Sequence, residues 1–271
     1  AIKCFTEALN IQEDFETMNH LVSAYSMANQ TEKALETLNR MVEMEPEHIQ
    51  TLLTRVSVLF MLDKEAEVIA DCLRVIELDE SNHLAWFLMA KAKRTTGDQL
   101  GAIGDLTKAI ALKDDFTDAY LLRAEVAMKQ GQEALPDIEK AISLAPEEET
   151  TYLVRGKIHE SLGDLDAATD DYQQALDLNP FNEDACILKG SLLITKNLLD
   201  EAIVFFDEAI EIKPDFAKAY AERGRAKNLK GDKEGAFEDL KKSIELNPEG
   251  EEAKKFEGQH NFDNMYKGGI F

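Results

Sequence analysis

Histidine, cysteine and carboxylate side chains are the groups in this sequence that could carry catalysis or bind a metal. The five histidines form no H-E-x-x-H motif and no pair spaced four residues apart, the spacing that puts two ligands on one helix face. They are His20, His48, His83, His159 and His260. Carboxylates are abundant, but no nucleophile–base pattern accompanies them. We therefore expect no catalytic residue, no metal site and no cofactor, and a protein that is not an enzyme.

The cysteines Cys4, Cys72 and Cys186 lie far apart, at apolar positions of predicted helices. They form neither a C-x-x-C motif nor an even-numbered disulfide framework. We interpret them as small buried hydrophobic side chains, and their pattern favours a reducing, cytoplasmic compartment. The sequence opens at Ala1 with half of a repeat, so we expect a fragment or a processed form, in which a targeting signal would not be visible.

A net charge of −23 and a hydrophobic content of 44% limit the possible partners of the chain. So acidic a molecule repels phosphates, and we expect neither nucleic acid nor an anionic membrane surface as a partner. No run approaches 18 uninterrupted apolar residues, so we expect no membrane span. The apolar content is sufficient for a large core.

A stretch of 34 residues, 149–182, is the unit that the rest of the sequence repeats. It reads ETTYLVRGKIHESLGDLDAATDDYQQALDLNPFN and holds two amphipathic helical patterns, separated by a Gly-Asp turn and closed by Pro180. Small residues at positions 8, 20 and 27 of the unit, Gly156, Ala168 and Ala175, allow two helices to approach closely. The unit predicts a helix–turn–helix.

This unit recurs through most of the chain. We assign seven repeats, at residues 15–48, 49–82, 83–116, 117–148, 149–182, 183–216 and 217–250. Residues 1–14 match the second helix of a further, truncated repeat. The fourth repeat is two residues short in its turn. Its Pro136 predicts that the second helix begins near Leu135, because proline is tolerated only in a first helical turn.

The pattern closely resembles the tetratricopeptide repeat, a helix–turn–helix unit with this period. The resemblance implies an all-α fold, a right-handed superhelix (α-solenoid) of helix–turn–helix repeats whose concave face binds peptides. We expect a bacterial source. Residues 251–258 predict a short capping helix after the last repeat, and residues 259–271 form a tail outside the repeat pattern.

In this family the first helix of each repeat lines the groove, with an open stripe at positions 2, 5, 6, 9, 12 and 13 that shares one helix face. We predict a peptide-binding groove with an apolar middle on this stripe. Its residues are Leu53, Phe60, Phe87, Leu88, Lys91, Arg94, Leu121, Leu122, Glu125, Leu153, Lys157, Ile187 and Ile194. The lysine and asparagine set with which co-chaperones of the family hold a C-terminal carboxylate is absent from any three successive repeats.

An alternative applies to the same positions. The apolar residues at positions 5 and 6 would pack against neighbouring first helices, and the charged residues at position 9 would pair across adjacent helices. Both interpretations remain open at the level of sequence.

Arginine at position 7 and aspartate at position 23 occur together in four repeats. The pairs are Arg55/Asp71, Arg123/Asp137, Arg155/Asp171 and Arg223/Asp239, and Met89/Asp105 breaks the correlation. We predict an ion pair that joins the two helices of each such repeat, and we assign these arginines to the scaffold rather than to the binding site.

The tail, QHNFDNMYKGGIF, has no helical period but is rich in apolar residues. These are Phe262, Met265, Tyr266, Ile270 and Phe271. An apolar end on so acidic a chain predicts docking on repeat helices of its own or a neighbouring molecule, the alternative being a frayed terminus.

The sequence thus predicts a noncatalytic scaffold for protein–protein interaction, with a protein or peptide of unknown identity as the partner. Two alternatives remain. The chain could be the regulatory or recognition region of a larger enzyme or assembly whose other domain lies upstream of residue 1, or a protein that self-associates through its tail.

Deletion of residues 259–271 tests the docking of the tail. We expect the shortened chain to unfold at a lower temperature or to change its oligomeric state, because the docked apolar side chains return to water. Calorimetry and light scattering over a range of concentrations measure both quantities. Unchanged stability together with an unchanged oligomeric state would identify a terminus that docks nowhere.

Overall fold

The computed structural model describes residues 1–12 and 14–250. Within that part the regular structure is helical, with no strand, which confirms the prediction of an all-α helical-repeat fold. The helices are α1 (Ile2–Ile11), α2 (Phe15–Met27), α3 (Thr31–Met44), α4 (Ile49–Phe60), α5 (Glu65–Leu78), α6 (His83–Thr96), α7 (Gln99–Leu112), α8 (Thr117–Lys129), α9 (Leu135–Leu144), α10 (Glu149–Ser161), α11 (Leu165–Leu178), α12 (Glu183–Thr195), α13 (Leu199–Ile212), α14 (Ala217–Lys230) and α15 (Lys233–Leu246). The predicted capping helix and the predicted tail lie outside the described residues.

Short polar side chains begin several of these helices. The carboxylates of Asp98, Asp164 and Asp232 each accept a hydrogen bond from a backbone N–H in the first turn of the second helix of a repeat. The turn before that helix needs a left-handed residue. Glycine supplies it in some repeats, whereas Asn29 and Asp63 supply it with φ of 54° and 52° in the first two.

The chain divides into two units, residues 1–144 and residues 145–271. In the first unit the largest fully buried side chains include Met18, Leu38, Leu52 and Met89, and consecutive helices pack on each other around them. Helix α1 contributes no buried residue. Cys4 is therefore exposed, which corrects the prediction that all three cysteines are buried.

The second unit, described from residue 145 to residue 250, builds its core from aromatic rings set against glycines. Tyr172 on α11 and Phe206 on α13 are fully buried. A Cβ atom added to Gly156 would lie 2.4 Å from the Tyr172 ring, and one added to Gly190 would lie 2.6 Å from the Phe206 ring. Glycine at position 8 thus allows the first helix of the repeat to lie directly on the ring from the second.

The second helix of the fourth repeat begins at Leu135, as predicted from Pro136. The helix is 10 residues long, whereas the second helices of the other described repeats have 14. Proline therefore occupies the first turn, where its missing N–H has no acceptor within the helix. The fourth repeat thus departs from the others in two adjacent places, its turn and its second helix.

A Gly156→Ala variant tests the close packing in the second unit. We expect it to lower the free energy of unfolding by about 1–3 kcal/mol, because the buried Tyr172 ring must move to accept the new methyl group. Urea unfolding measures the change.

The matched control is Gly104→Ala on α7, where the new methyl group meets no atom within 4 Å. There the better helix propensity of alanine is expected to raise stability by up to about 1 kcal/mol. Equal effects at the two sites would contradict this account of position 8.

Candidate protein-interaction surface

Four ion pairs join the two helices of a repeat, as the sequence predicted. The guanidinium Nη2 atom lies 2.5–2.6 Å from a carboxylate Oδ1 atom in each pair. The Nε atom donates a second hydrogen bond to the same aspartate in every case. Each pair is thus bidentate, which fixes the geometry between the helices as well as neutralising the charge.

The arginine at position 7 also reaches back to the preceding repeat, which was not predicted. Arg55 donates to Asn39 at 3.1 Å, Arg123 to Thr107 at 3.0 Å, and Arg223 to Asp207 at 2.5 Å. All three acceptors stand at position 25. The missed signal is present in the sequence. Where position 7 is Met89, position 25 of the preceding repeat is apolar Leu73.

The cation at position 7 therefore contacts three helices, and Lys189 reproduces part of this arrangement by donating to Gln173, also at position 25. These cations lie between helices and form ion pairs and hydrogen bonds that join them. Their geometry agrees with their assignment to the scaffold.

A second cation at position 11 explains the exception Met89/Asp105. Lys93 Nζ lies 2.7 Å from Asp105 Oδ2. At the same position, Lys227 Nζ lies 2.8 Å from Asp239 and His159 Nδ1 lies 2.9 Å from Asp171. The aspartate at position 23 thus pairs with a side chain at position 7, at position 11, or at both, and these positions are one turn apart on the first helix.

The pKa values of two of these aspartates shift in opposite directions. Burial raises the pKa of Asp239, but hydrogen bonds from Arg223 and Lys227 outweigh burial and hold the pKa below its usual value of 3.8. Burial also raises the pKa of Asp105, and the one ammonium of Lys93 does not cancel this rise. The two pKa shifts differ in direction because Asp239 has an arginine partner at position 7, whereas position 7 of the repeat that contains Asp105 is Met89.

In the first unit, part of the predicted groove forms one cluster on α4 and α6. These two first helices are in contact. The ammonium of Lys91 on α6 lies 5.5 Å from the centroid of the Phe60 ring on α4 and 5.9 Å from that of the Phe87 ring on α6. Both rings are half-buried, so each keeps part of its surface open to a ligand. We call Phe60, Phe87 and Lys91 the aromatic–lysine cluster.

Other predicted groove residues of the first unit lie on the same two helices and on α8. Leu53, Leu88 and Leu121 are half-buried. Arg94 Nη1 on α6 lies 2.8 Å from Glu125 Oε2 on α8, so this pair of predicted site residues is joined across adjacent first helices. Two further apolar residues stand on the predicted stripe. Met61, at position 13, has 60% of its surface exposed, and Leu84, at position 2, has 38%.

Four predicted groove residues offer almost no surface. Leu122 is 7% exposed, and Leu153, Ile187 and Ile194 of the second unit are 8%, 1% and 7% exposed. The three residues of the second unit pack in one core with Leu192. Burial favours the alternative in which these side chains serve helix packing. Lys157, the remaining predicted residue of that unit, is exposed.

Residues 1–12 and 14–250 contain neither a candidate metal site nor a helix that could span a membrane. No group of three or more His, Cys, Asp or Glu side chains in that range could hold a metal ion. None of the helices in the range is both long enough and apolar enough to cross a bilayer.

Stacked helix pairs, internal ion pairs and a partly open apolar face on the first helices define a helical-repeat protein of the scaffold class. Models of the family described as tetratricopeptide repeat match residues 150–182, 183–216 and 217–249. Residues 150–249 are therefore tetratricopeptide repeats, units that form scaffolds for protein–protein interaction.

Individual proteins with similar sequences or structures agree with this assignment. A tetratricopeptide repeat protein from Parabacteroides merdae superposes with a TM-score of 0.73 at 16% identity, covering 89% of this chain and 96% of its own. MamA superposes with a TM-score of 0.53 at 27% identity, covering 60% of this chain and 91% of its own. DnaJ homolog subfamily C member 3 of Mus musculus is 36% identical over 67 residues, which are 25% of this chain and 13% of the mouse protein. A bacterial source for the chain stays a prediction.

Asparagine variants of Asp239 and Asp105 test the role of the guanidinium at position 7, because both aspartates have a lysine at position 11 but only Asp239 has an arginine partner. Asp239→Asn leaves the guanidinium of Arg223 without its buried partner, so we expect a loss of about 3 kcal/mol at neutral pH. Asp105→Asn removes a carboxylate that burial already disfavours, so we expect a loss below about 1 kcal/mol. Urea unfolding at several pH values measures both.

The dependence on pH has opposite signs at the two sites. The pKa of Asp239 is lowered by folding, so its stabilisation is present above the unfolded value of 3.8 and is lost as the pH falls further, through the folded pKa. The pKa of Asp105 is raised by folding, so its contribution becomes more favourable as the pH falls through the folded pKa towards 3.8. Parallel pH profiles for the two variants would contradict this account.

Proposed function

We propose that the chain is a noncatalytic scaffold that binds an apolar peptide or protein segment on the first-helix face of α4, α6 and α8. The family assignment supports the interaction role, and the choice of face rests on the aromatic–lysine cluster.

The half-buried rings of Phe60 and Phe87 are the observation that carries the proposal. An aromatic ring that is half-buried in the free protein has a fixed position and still gains from further burial. A few such anchors contribute roughly 1.5–3 kcal/mol each on complete burial, which leaves useful affinity after the cost of association. The exposed Met61 and Leu84 border the same face.

The first unit is the better candidate for this role because its inner positions remain open. Phe87 and Ile187 occupy position 5 of their repeats, yet Phe87 is half-buried and Ile187 is 1% exposed. In the second unit the apolar residues at positions 5 and 12 are used by the core. A ligand that seeks apolar surface therefore has more of it in the first unit.

The alternative, a regulatory or recognition region of a larger enzyme or assembly, stays a prediction. The match to the mouse protein spans 13% of that protein, so the repeats of that relative form part of a longer chain. Self-association through residues 259–271 also stays a prediction. Either arrangement is compatible with a peptide-binding face in the first unit.

A double variant, Phe87→Glu with Leu121→Glu, tests the face. Two charges placed among apolar side chains repel an apolar segment, so we expect at least about a tenfold loss of the proteins that the wild-type chain retains from a cell extract. Quantitative mass spectrometry of the bound fraction measures the loss.

The matched control is Phe181→Glu, which makes the same replacement at a ring that is 76% exposed in the second unit. Circular dichroism checks that all variants keep their helix content. Retention by the double variant, or an equal loss with the control, would contradict the proposed face.

A further inference from the structure

We infer that the aromatic–lysine cluster selects apolar segments that carry an acidic side chain, with the carboxylate placed on the ammonium of Lys91. The inference rests on the proposed function and adds the chemistry of the ligand to it. It concerns a single carboxylate within an apolar segment.

The ammonium of Lys91 lies within 6 Å of the centroids of two aromatic rings. An ammonium near the faces of two aromatic rings is attracted by both, and the rings displace part of its water. The side chain is half-buried, so its charge lies at the surface but in a partly apolar environment. A charge-assisted hydrogen bond gains strength in such surroundings.

Two carboxylates on the neighbouring helices α7 and α8 are bound by other cations of α6. Glu125, at position 9 of the next first helix, is bound by Arg94 at 2.8 Å. Asp105 is bound by Lys93 at 2.7 Å. Within the part of the chain that the structure describes, no carboxylate lies within ion-pair distance of Lys91. The cluster therefore presents a positive charge that has no carboxylate partner among residues 1–12 and 14–250.

The charge of the whole chain limits how acidic the ligand can be. At −23, the molecule repels a strongly acidic peptide at long range. The apolar contacts with Phe60 and Phe87 must therefore supply the affinity, and Lys91 selects among apolar segments by the presence of one carboxylate. An apolar segment with a basic residue at that place would leave Lys91 facing a like charge, which disfavours it.

Lys157 provides a comparison within the chain. It stands at the same repeat position, position 9, on α10 of the second unit, and it is exposed. Among the described residues no ring contact accompanies it. Lys157 is thus a lysine at the same position without the aromatic surroundings, and we expect no selection by it.

A random dodecapeptide library displayed on phage and selected on the complete chain tests the inference. We expect the wild-type chain and the Lys157→Glu control to enrich peptides with Asp or Glu between apolar residues. The Lys91→Glu variant is expected to lose this preference and to enrich Lys or Arg at the same place.

Synthetic peptides give the second measurement. The most enriched peptide and its version with Asn or Gln at the acidic position are compared by fluorescence anisotropy. We expect the neutral peptide to bind the wild-type chain at least about tenfold more weakly, and both peptides to bind Lys91→Gln with similar affinity.

The outcomes separate the two proposals. Enrichment of apolar peptides without an acidic preference would overturn the role of Lys91 and leave the apolar binding face standing. An acidic preference that Lys157→Glu removes and Lys91→Glu keeps would also overturn it. No enrichment by the wild-type chain would overturn both proposals.

Discussion

A cation at position 7 that bonds to two neighbouring helices sets the geometry of several repeats in both units. At position 7, an arginine forms a bidentate pair with the aspartate of its own repeat and donates to position 25 of the repeat before it. Burying such a charge is costly, so the pair adds less to stability than its short distances suggest. Its value lies in geometry, since the guanidinium fork accepts few relative placements of the helices.

Most of the fold could be predicted from the sequence because the same local sequence signals recur in several repeats. Small residues at position 8, the turn residue and Pro136 each act within one or two helical turns, so periodicity alone located the helices. The contacts at positions 11 and 25 were missed because they depend on how far a long side chain reaches across a packed interface. That reach follows from the three-dimensional register, and periodicity does not contain it.

The candidate site was predictable to a smaller extent, for a related reason. Positions 5 and 12 share a helix face in every repeat, but the neighbours decide whether a side chain on that face is open. Ile187 and Ile194 are enclosed by other apolar side chains of the second unit, whereas Phe60 and Phe87 lie beside Lys91. Sequence pattern gave the face, and packing decided which residues of the face can meet a ligand.

Leu73 and Met89 give the boundary between the second and third repeats a different character from the boundaries that have a cation at position 7. They occupy the two positions where other repeats place a hydrogen-bond acceptor and a cation. Dissolved ions screen attraction between charges, while excluded salts such as sulfate strengthen apolar association. Boundaries within one molecule would then respond to ionic strength in opposite directions, so the choice and concentration of salt alone can change which of them opens first.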